Sequence, residues 1–203
     1  MPEIKISPDQ SDALGELVNL GMGKAASVIS EMLNEKVSLS APEIKIIEYS
    51  QFRSSIGEFA NLISVVQMKF FGPFSGISTI VFPPESATNL VTALMGEDVS
   101  SEEIDCMRYN TLNELGNILL NSVVGNLTNM LHERVNFGVP EYLEGETTPT
   151  LKRLNLSPTD PCLTARTRFI VRDLEIKGDI ILVFTLDSMQ TLLKSLDKLL
   201  ADV

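Results

Sequence analysis

The chain carries one short pattern twice, at a spacing that constrains its fold. "DALGELVN" (12–19) and "NTLNELGN" (110–117) both read acid or amide, three residues, Glu, two residues, Asn. In each copy twenty-two residues separate the Asn from a proline. A shift of 98 residues superimposes these identical pairs: Glu16 and Glu114, Leu17 and Leu115, Asn19 and Asn117, Met32 and Met130, Leu33 and Leu131, Glu35 and Glu133, Val37 and Val135, Pro42 and Pro140. A shift of 102 superimposes Gly76 on Gly178, Phe82 on Phe184, Ser86 on Ser188 and Leu90 on Leu192. Self-similarity of this kind predicts one domain, 1–203, made of two repeats at about 9–96 and 103–201.

Each repeat shows the same order of periodicities. Apolar residues at spacings of three and four predict a long helix first and a shorter helix last, whereas alternation between them predicts strands. The predicted helices are 9–35, 84–96, 103–133 and 186–201. The predicted strands are 36–49 (interrupted near Pro42), 59–71, 75–83, 134–143, 163–175 and 177–185, with a turn-rich loop at 144–161. The sequence therefore predicts an α/β (α+β) fold. Two helix–strand–strand–strand–helix halves share a sheet across a pseudo-two-fold axis, with the two long helices roughly antiparallel on one face.

The composition excludes several classes of function. A net charge of −11 and a pI near 4.5 argue against nucleic acid or an anionic membrane as the main partner, because both require a basic surface. One histidine and two cysteines make a zinc site or a disulfide framework improbable. The polar opening "MPEIKISPDQ" and the lack of any apolar run of membrane length predict a soluble, cytoplasmic protein.

The duplicated pattern is predicted to lie on one stripe of each long helix. Positions i, i+4 and i+7 share a helix face, so Asp12, Glu16 and Asn19 lie together, as do Asn110, Glu114 and Asn117. An exposed Glu–Asn pair most often only keeps a helix solvated. The Glu–Asn pair is the same in both copies, however, while the neighbouring residues differ, and this favours a functional role. Both asparagines are expected to be exposed. Small and polar residues continue the two stripes and favour a docking face: Gly23, Ala26, Ser27 and Ser30 on the first helix, and Asn121, Gly125 and Thr128 on the second.

The pattern resembles the signature of the CheC/CheX/FliY family of chemotaxis phosphatases. In that signature an acid or serine, three residues, Glu, two residues, Asn and a downstream Pro recur. The resemblance covers nearly the whole chain, includes "NELGNIL" and "GMGKAASVIS", and in length and duplication is most like the CheC branch. One residue departs from it: Asn110 stands where the family prefers Asp or Ser.

The resemblance implies a hydrolase that dephosphorylates the aspartyl phosphate of a CheY-like response regulator, as part of two-component signalling. Asn19 and Asn117 would orient the attacking water, and Glu16 and Glu114 would dock the receiver through its active-site lysine. Asp12 and Asn110 would extend the docking contact, and Pro42 and Pro140 would be structural. The receiver would supply Mg²⁺, so no cofactor or metal is expected on this chain.

Two other readings of the same resemblance stay open. The chain could be a non-catalytic receiver-binding or motor-switch adaptor, or it could bind the receptor deamidase CheD beside its catalytic role. An adaptor has no need of Asn19 and Asn117, so their presence at both sites favours the enzyme. The internal repeat favours a monomer, because each half supplies what a second subunit would.

Overall fold

A computed structural model describes residues 6–59, 61–95, 101–171 and 174–201. These residues form six helices and eight strands. Residues 60, 96, 172 and 173, which fall in or at the ends of predicted elements, lie outside this description. The helices are α1 (Pro8–Leu33), α2 (Tyr49–Phe59), α3 (Pro84–Met95), α4 (Ser101–Met130), α5 (Thr147–Arg153) and α6 (Leu186–Ala201). The strands are β1 (Val37–Leu39), β2 (Glu43–Glu48), β3 (Leu62–Phe71), β4 (Gly76–Phe82), β5 (Asn136–Phe137), β6 (Glu141–Glu146), β7 (Pro161–Val171) and β8 (Leu174–Phe184).

The strands form one antiparallel sheet in which the two halves interlock. Its order is β1-β7-β8-β4-β3-β5, with β2 also on β7 and β6 also on β3. Each half contributes a hairpin, β3–β4 or β7–β8, and the hairpins join where β4 pairs with β8. The short edge strands pair with the opposite half: β1 and β2 with β7, and β5 and β6 with β3. The predicted α/β class and shared sheet are confirmed, while the internal duplication stays a prediction.

The sheet is covered by helices on both faces. The larger hydrophobic core joins one face to α1, α3, α4 and α6, so both long helices lie on the same side as predicted. The smaller core joins the other face to α2 and α5, around Tyr49, Phe52 and Leu151. The Tyr49 Oη donates a hydrogen bond to the Leu151 carbonyl oxygen (2.7 Å) and ties these two short helices together. No helix among the described residues combines the length and apolar character needed to cross a membrane.

Two short helices and one loop differ from the prediction. The predicted loop 144–161 is wrong, because it holds the end of β6, all of α5 and the start of β7. In α5, "TTPTLKR", only Leu151 is apolar, and two of its three buried residues are the threonines Thr147 and Thr150. Such a segment has no apolar period to detect, and burial on the sheet decides its structure. The sequence also predicts no helix at α2, because this helix follows directly on the strand β2 with no turn residue between them.

The two long helices pack closely because a glycine lies at their contact. A Cβ on Gly21 would stand 2.7 Å from the Val123 Cα and 2.9 Å from the Ser122 carbonyl oxygen, so only glycine allows this approach. Buried Asn126 donates to the Leu17 carbonyl oxygen (2.8 Å) and accepts from Lys24 Nζ (2.7 Å). The contacts run in opposite chain order, Leu17 with Asn126 and Gly21 with Val123. The helices are therefore antiparallel.

Candidate functional site

The first copy of the pattern lies on the solvent side of α1. Asp12, Glu16 and Asn19 are all exposed, while Leu14 and Leu17 on the opposite side are buried in the larger core. The helix begins at a capping box in which Ser7 Oγ accepts from the Gln10 N–H and the Gln10 side chain accepts from the Ser7 N–H. The predicted stripe is thus confirmed as one exposed face.

The second copy lies on α4 in a similar place but is less open. Asn110 and Glu114 are exposed, and Leu112 and Leu115 are buried beneath them. Asn117 is only partly exposed, so the expectation that both asparagines are exposed holds for Asn19 alone.

The predicted run of small residues beside each motif is only partly on the surface. On α1, Gly23 and Ser27 are exposed and Ser30 is half-buried, but Ala26 is buried. On α4, Thr128 is buried, whereas Asn121 and Gly125 are half-buried. Ala26 and Thr128 lie at the edge of the apolar stripe of each helix, where the helix packs against neighbouring elements. Those two residues do not belong to a docking face.

The two asparagines have different neighbours one helical turn on. Asn121 Nδ2 donates to Asn117 Oδ1 at 2.7 Å. At the matching place on α1 stands Gly23, which has no side chain, and nothing lies within 4 Å of where its Cβ would be. The carboxamide of Asn117 is therefore held by a neighbour, and that of Asn19 has no such bond among the described residues.

The carboxylates of the two motifs are available to a partner. Within the described part of the chain, no Lys, Arg or His nitrogen lies within 4.0 Å of the carboxylates of Asp12, Glu16 or Glu114. An exposed carboxylate without a cationic partner can pair with a cation on another protein without first breaking an internal contact.

Polar contacts tie each motif helix to neighbouring elements. Gln10 Nε2 donates to Asp197 Oδ1 (2.7 Å), which ties α1 to α6. Arg108 donates to the Pro84 carbonyl oxygen (3.1 Å) and pairs with the Glu144 carboxylate (3.3 Å), which ties α4 to α3 and β6. Arg108 precedes Asn110 by two residues, so it positions the second motif. Sequence reasoning missed it because a lone arginine carries no pattern.

The two prolines break the edge strands. Pro42 stands between β1 and β2, and Pro140 stands between β5 and β6. Proline lacks an N–H and is tolerated in a sheet at such breaks and edges. After Pro42 the chain runs beneath α1, where the Ile44 Cγ1 lies 3.7 Å from the place of a Cβ on Gly15, next to Glu16. A structural role for the two prolines stays a prediction, and their places at breaks in the edge strands are compatible with it.

A hydrogen-bonded cluster lies beside the second motif. The Tyr142 phenol bonds to the Glu144 carboxylate and to Ser64 Oγ (3.2 Å). Burial, together with the hydrogen bond to Glu144, raises the pKa of Tyr142 to about 12. Tyr109 packs edge-on against the Tyr142 ring, with ring centres 6.2 Å apart. The cluster is a structural anchor that links β6 to β3 and to α4.

On the opposite face of the sheet, a small cleft of about 150 Å³ is lined by already paired charges. Arg166 Nε bonds to Asp179 Oδ1 at 2.7 Å, and Lys45 Nζ lies 2.5 Å from Glu43 Oε1. The Lys45 ammonium holds the pKa of Glu43 below its usual value. Among the described residues, no three His, Cys, Asp or Glu side chains cluster as metal ligands would.

Two family models match the chain, and each match contains one copy of the pattern with its proline. The model of the CheC-like family matches residues 10–46. The model of the chemotaxis phosphatase CheX matches residues 64–156.

Curated relatives carry related names. The CheY-P phosphatase CheC of Bacillus subtilis (strain 168) is 27% identical over 139 residues, which are 67% of this chain and 66% of CheC. The flagellar motor switch phosphatase FliY of the same organism is 21% identical over 143 residues, which are 69% of this chain and 37% of FliY. The chain therefore spans less than two thirds of the length of either relative.

Solved structures share the fold. The crystal structure of Thermotoga maritima FliY matches with a TM-score of 0.78 at 18% identity, and covers 96% of this chain and 99% of that chain. A CheX–CheY–BeF₃–Mg²⁺ complex from Borrelia burgdorferi matches with a TM-score of 0.51 at 20% identity, and covers 83% of this chain and 97% of that chain. The two motifs on paired antiparallel helices, the two family matches and this shared fold make the chain similar to proteins of the CheC/CheX/FliY family.

Proposed function

We propose that this protein accelerates hydrolysis of the aspartyl phosphate of a CheY-like response regulator. The observation that carries the proposal is the duplicated Glu–Asn pair. Both copies lie on the outer side of long helices that share one face of the sheet, and both glutamates lack a cationic partner among the described residues. One relative named for CheY-P phosphatase activity, and a fold neighbour solved in complex with CheY, support the same substrate class.

The asparagines suit the task of holding the attacking water. Phosphoryl transfer depends mostly on positioning and electrostatics, and a carboxamide both accepts and donates hydrogen bonds without repelling a phosphoryl group. In the step, the water oxygen bonds to phosphorus as the bond from phosphorus to the aspartyl oxygen breaks. The products are the receiver's carboxylate and dihydrogen phosphate. Asn19 and Asn117 hold the water in line and form no covalent bond.

The glutamates suit the task of docking. Glu16 and Glu114 would pair with the receiver's active-site lysine and so fix the register of the complex, one helical turn before each asparagine. Exposed ion pairs are weak in energy, about 1 kcal/mol or less, but specific in position. The Mg²⁺ that neutralises the phosphoryl group would be held by the receiver, and no step requires a metal on this chain.

The alternative is a binding role without catalysis. One curated relative is named a flagellar motor switch phosphatase, which joins both roles in one protein, so an adaptor role is compatible with this fold. An adaptor would use Glu16 and Glu114 but would not need the carboxamides. CheD binding stays a prediction without an assigned surface.

The deciding experiment removes both carboxamides. With a purified, phosphorylated CheY-like receiver, Asn19→Ala plus Asn117→Ala should reduce phosphate release to the receiver's own rate, because the water loses its positioning group. Stability should fall by about 0.5 kcal/mol or less at exposed Asn19 and by about 1 kcal/mol at Asn117, which loses a hydrogen bond. Asn129→Ala changes an exposed asparagine at the end of α4, outside the motif, and should leave the rate unchanged.

Phosphate release measured together with receiver binding separates the enzyme from the adaptor. The double asparagine variant should still bind the receiver, whereas Glu16→Ala plus Glu114→Ala should weaken binding several-fold. Unchanged hydrolysis in the asparagine variant would refute the phosphatase proposal at these residues. Receiver binding by the unmodified protein without any faster phosphate release would support the adaptor instead.

A further inference from the structure

The second motif is accompanied by asparagines that the first motif lacks. Asn113 and Asn121 lie four residues before and after Asn117 on α4. The matching positions around Asn19 on α1 are Gly15 and Gly23. Side chains four residues apart on a helix are neighbours, so Asn117 lies between two amides whereas Asn19 lies between two glycines.

The bond between Asn121 and Asn117 has a defined direction. Asn121 Nδ2 is the donor and Asn117 Oδ1 the acceptor, at 2.7 Å. Asn121 Oδ1 is shielded from solvent and has no hydrogen-bond partner among the described residues, as is also true of Asn113 Oδ1. A buried polar atom left unpaired costs free energy, so stability alone does not account for an amide at 121.

We propose that Asn121 is a positioning residue for the second site, which orients the carboxamide of Asn117. This inference rests on the proposed function. A terminal carboxamide rotates about a broad, two-fold torsion, so an unrestrained asparagine presents its oxygen and its nitrogen in turn. The donor on Asn121 selects the orientation in which the Asn117 oxygen lies toward residue 121. A carbonyl oxygen has two lone pairs, so Asn117 Oδ1 can accept from Asn121 and from the attacking water together.

The same reasoning explains how two identical Glu–Asn pairs become unequal sites. Asn117 is restrained before the receiver arrives, whereas Asn19 must be ordered during each encounter. Ordering a side chain in advance removes an entropic cost from the reactive complex. Asn121 therefore raises the maximal rate at the second site and leaves receiver affinity, which depends on Glu114 and Asn110, nearly unchanged.

The loss-of-function test isolates the second site in an Asn19→Ala background. Adding Asn121→Ala should lower the maximal rate of receiver dephosphorylation by about three- to tenfold, the range expected when one side chain loses its restraint, with half-saturation changed less than about twofold. Alanine is the stronger helix former, so fraying of α4 would not explain the loss. In ¹H–¹⁵N spectra, Asn117→Ala should move the Asn121 side-chain amide protons toward the shifts of a solvated amide.

The gain-of-function test moves the device to the first site. In an Asn117→Ala background, Gly23→Asn places an amide one turn after Asn19, where no atom lies within 4 Å of the new Cβ. The maximal rate should rise by about threefold, and the matched control Gly23→Ala, which changes the helix without adding an amide, should not raise it. This arm stays informative if Asn121→Ala fails to fold.

The outcomes separate this inference from the proposed function. If the unmodified protein does not accelerate phosphate release, the proposed function itself is wrong. If Asn19→Ala plus Asn117→Ala still accelerates it, the roles of the two asparagines are refuted and the positioning role of Asn121 falls with them. If that pair is inactive but neither Asn121→Ala nor Gly23→Asn changes the maximal rate, the function stands and the positioning role is refuted. A change confined to half-saturation would place Asn121 in docking and would equally refute it.

Discussion

Matching motif positions on the two long helices carry residues of different charge. Asp12 and Asn110 occupy the same motif position and are both exposed, yet only Asp12 can carry a charge. Charge-assisted hydrogen bonds are roughly twice as strong as neutral ones. If both residues face cationic groups of a receiver, the first site docks more tightly than the second.

Asn110→Asp should therefore improve docking at the second site. In an Asn19→Ala background, we expect a lower half-saturating receiver concentration with little change in maximal rate, and a larger effect at low salt than at high salt because exposed charges are screened. Steady-state phosphate release across receiver concentration and ionic strength measures both quantities. An unchanged or higher half-saturation would mean that position 110 makes no electrostatic contact.

At the scale of elements, the sequence predicts the helices and strands whose apolar residues are periodic, and misses those whose structure depends on tertiary packing. The long helices, the two hairpins and the closing helices were predicted because apolar period sets their structure. Helix α5 was missed because its buried side chains are mostly threonines. The motif carboxylates and amides were found by repetition. Arg108 and the bond from Asn121 to Asn117 were not, since a single arginine or amide becomes interpretable only when its partner is known.

The contact between α1 and α4 depends on one glycine, and a second glycine provides its control. Gly21→Ala should destabilise the protein by about 2–4 kcal/mol, because the new methyl group would clash with backbone atoms of α4. These atoms can move away only if the helix shifts. Gly23→Ala, two residues on and with no atom within 4 Å of its Cβ, should stabilise by about 0.5–1 kcal/mol. Urea denaturation followed by circular dichroism gives both values. Equal effects of the two changes would contradict the close approach.

The anchor beside the second motif should show a defined dependence on pH. Tyr142→Phe removes the hydrogen bonds to Glu144 and Ser64 and should cost about 1 kcal/mol at pH 7. Because the folded protein raises the pKa of Tyr142 to about 12, its contribution is present below the unfolded value near 10 and is lost as the pH rises toward 12. The difference in unfolding free energy between the two proteins should therefore shrink above pH 10. A difference that stays constant with pH would contradict the anchored phenol.

At the scale of the whole molecule, the two halves cannot be separated without breaking the sheet. The edge strands of each half lie on the hairpin of the other, and the hairpins join through β4 and β8. The main core contains residues of α1 and α4 together. A half alone would expose both the joining strand and the inner side of its long helix. The repeats at about 9–96 and 103–201 are thus expected to form one cooperative domain.

We expect a single unfolding transition that both halves share. The chain has no tryptophan, so Phe71→Trp on β3 and Tyr109→Trp on α4 place one fluorescent reporter in each half, at side chains that are 50% and 51% exposed. The two fluorescence transitions and the loss of helical circular dichroism should coincide in urea, because the interlocked sheet leaves neither half a stable folded form alone. The fragments 1–98 and 99–203 should each lack a cooperative transition when expressed separately. Two resolved transitions, or a fragment that unfolds cooperatively as a monomer, would show that the halves are independent domains.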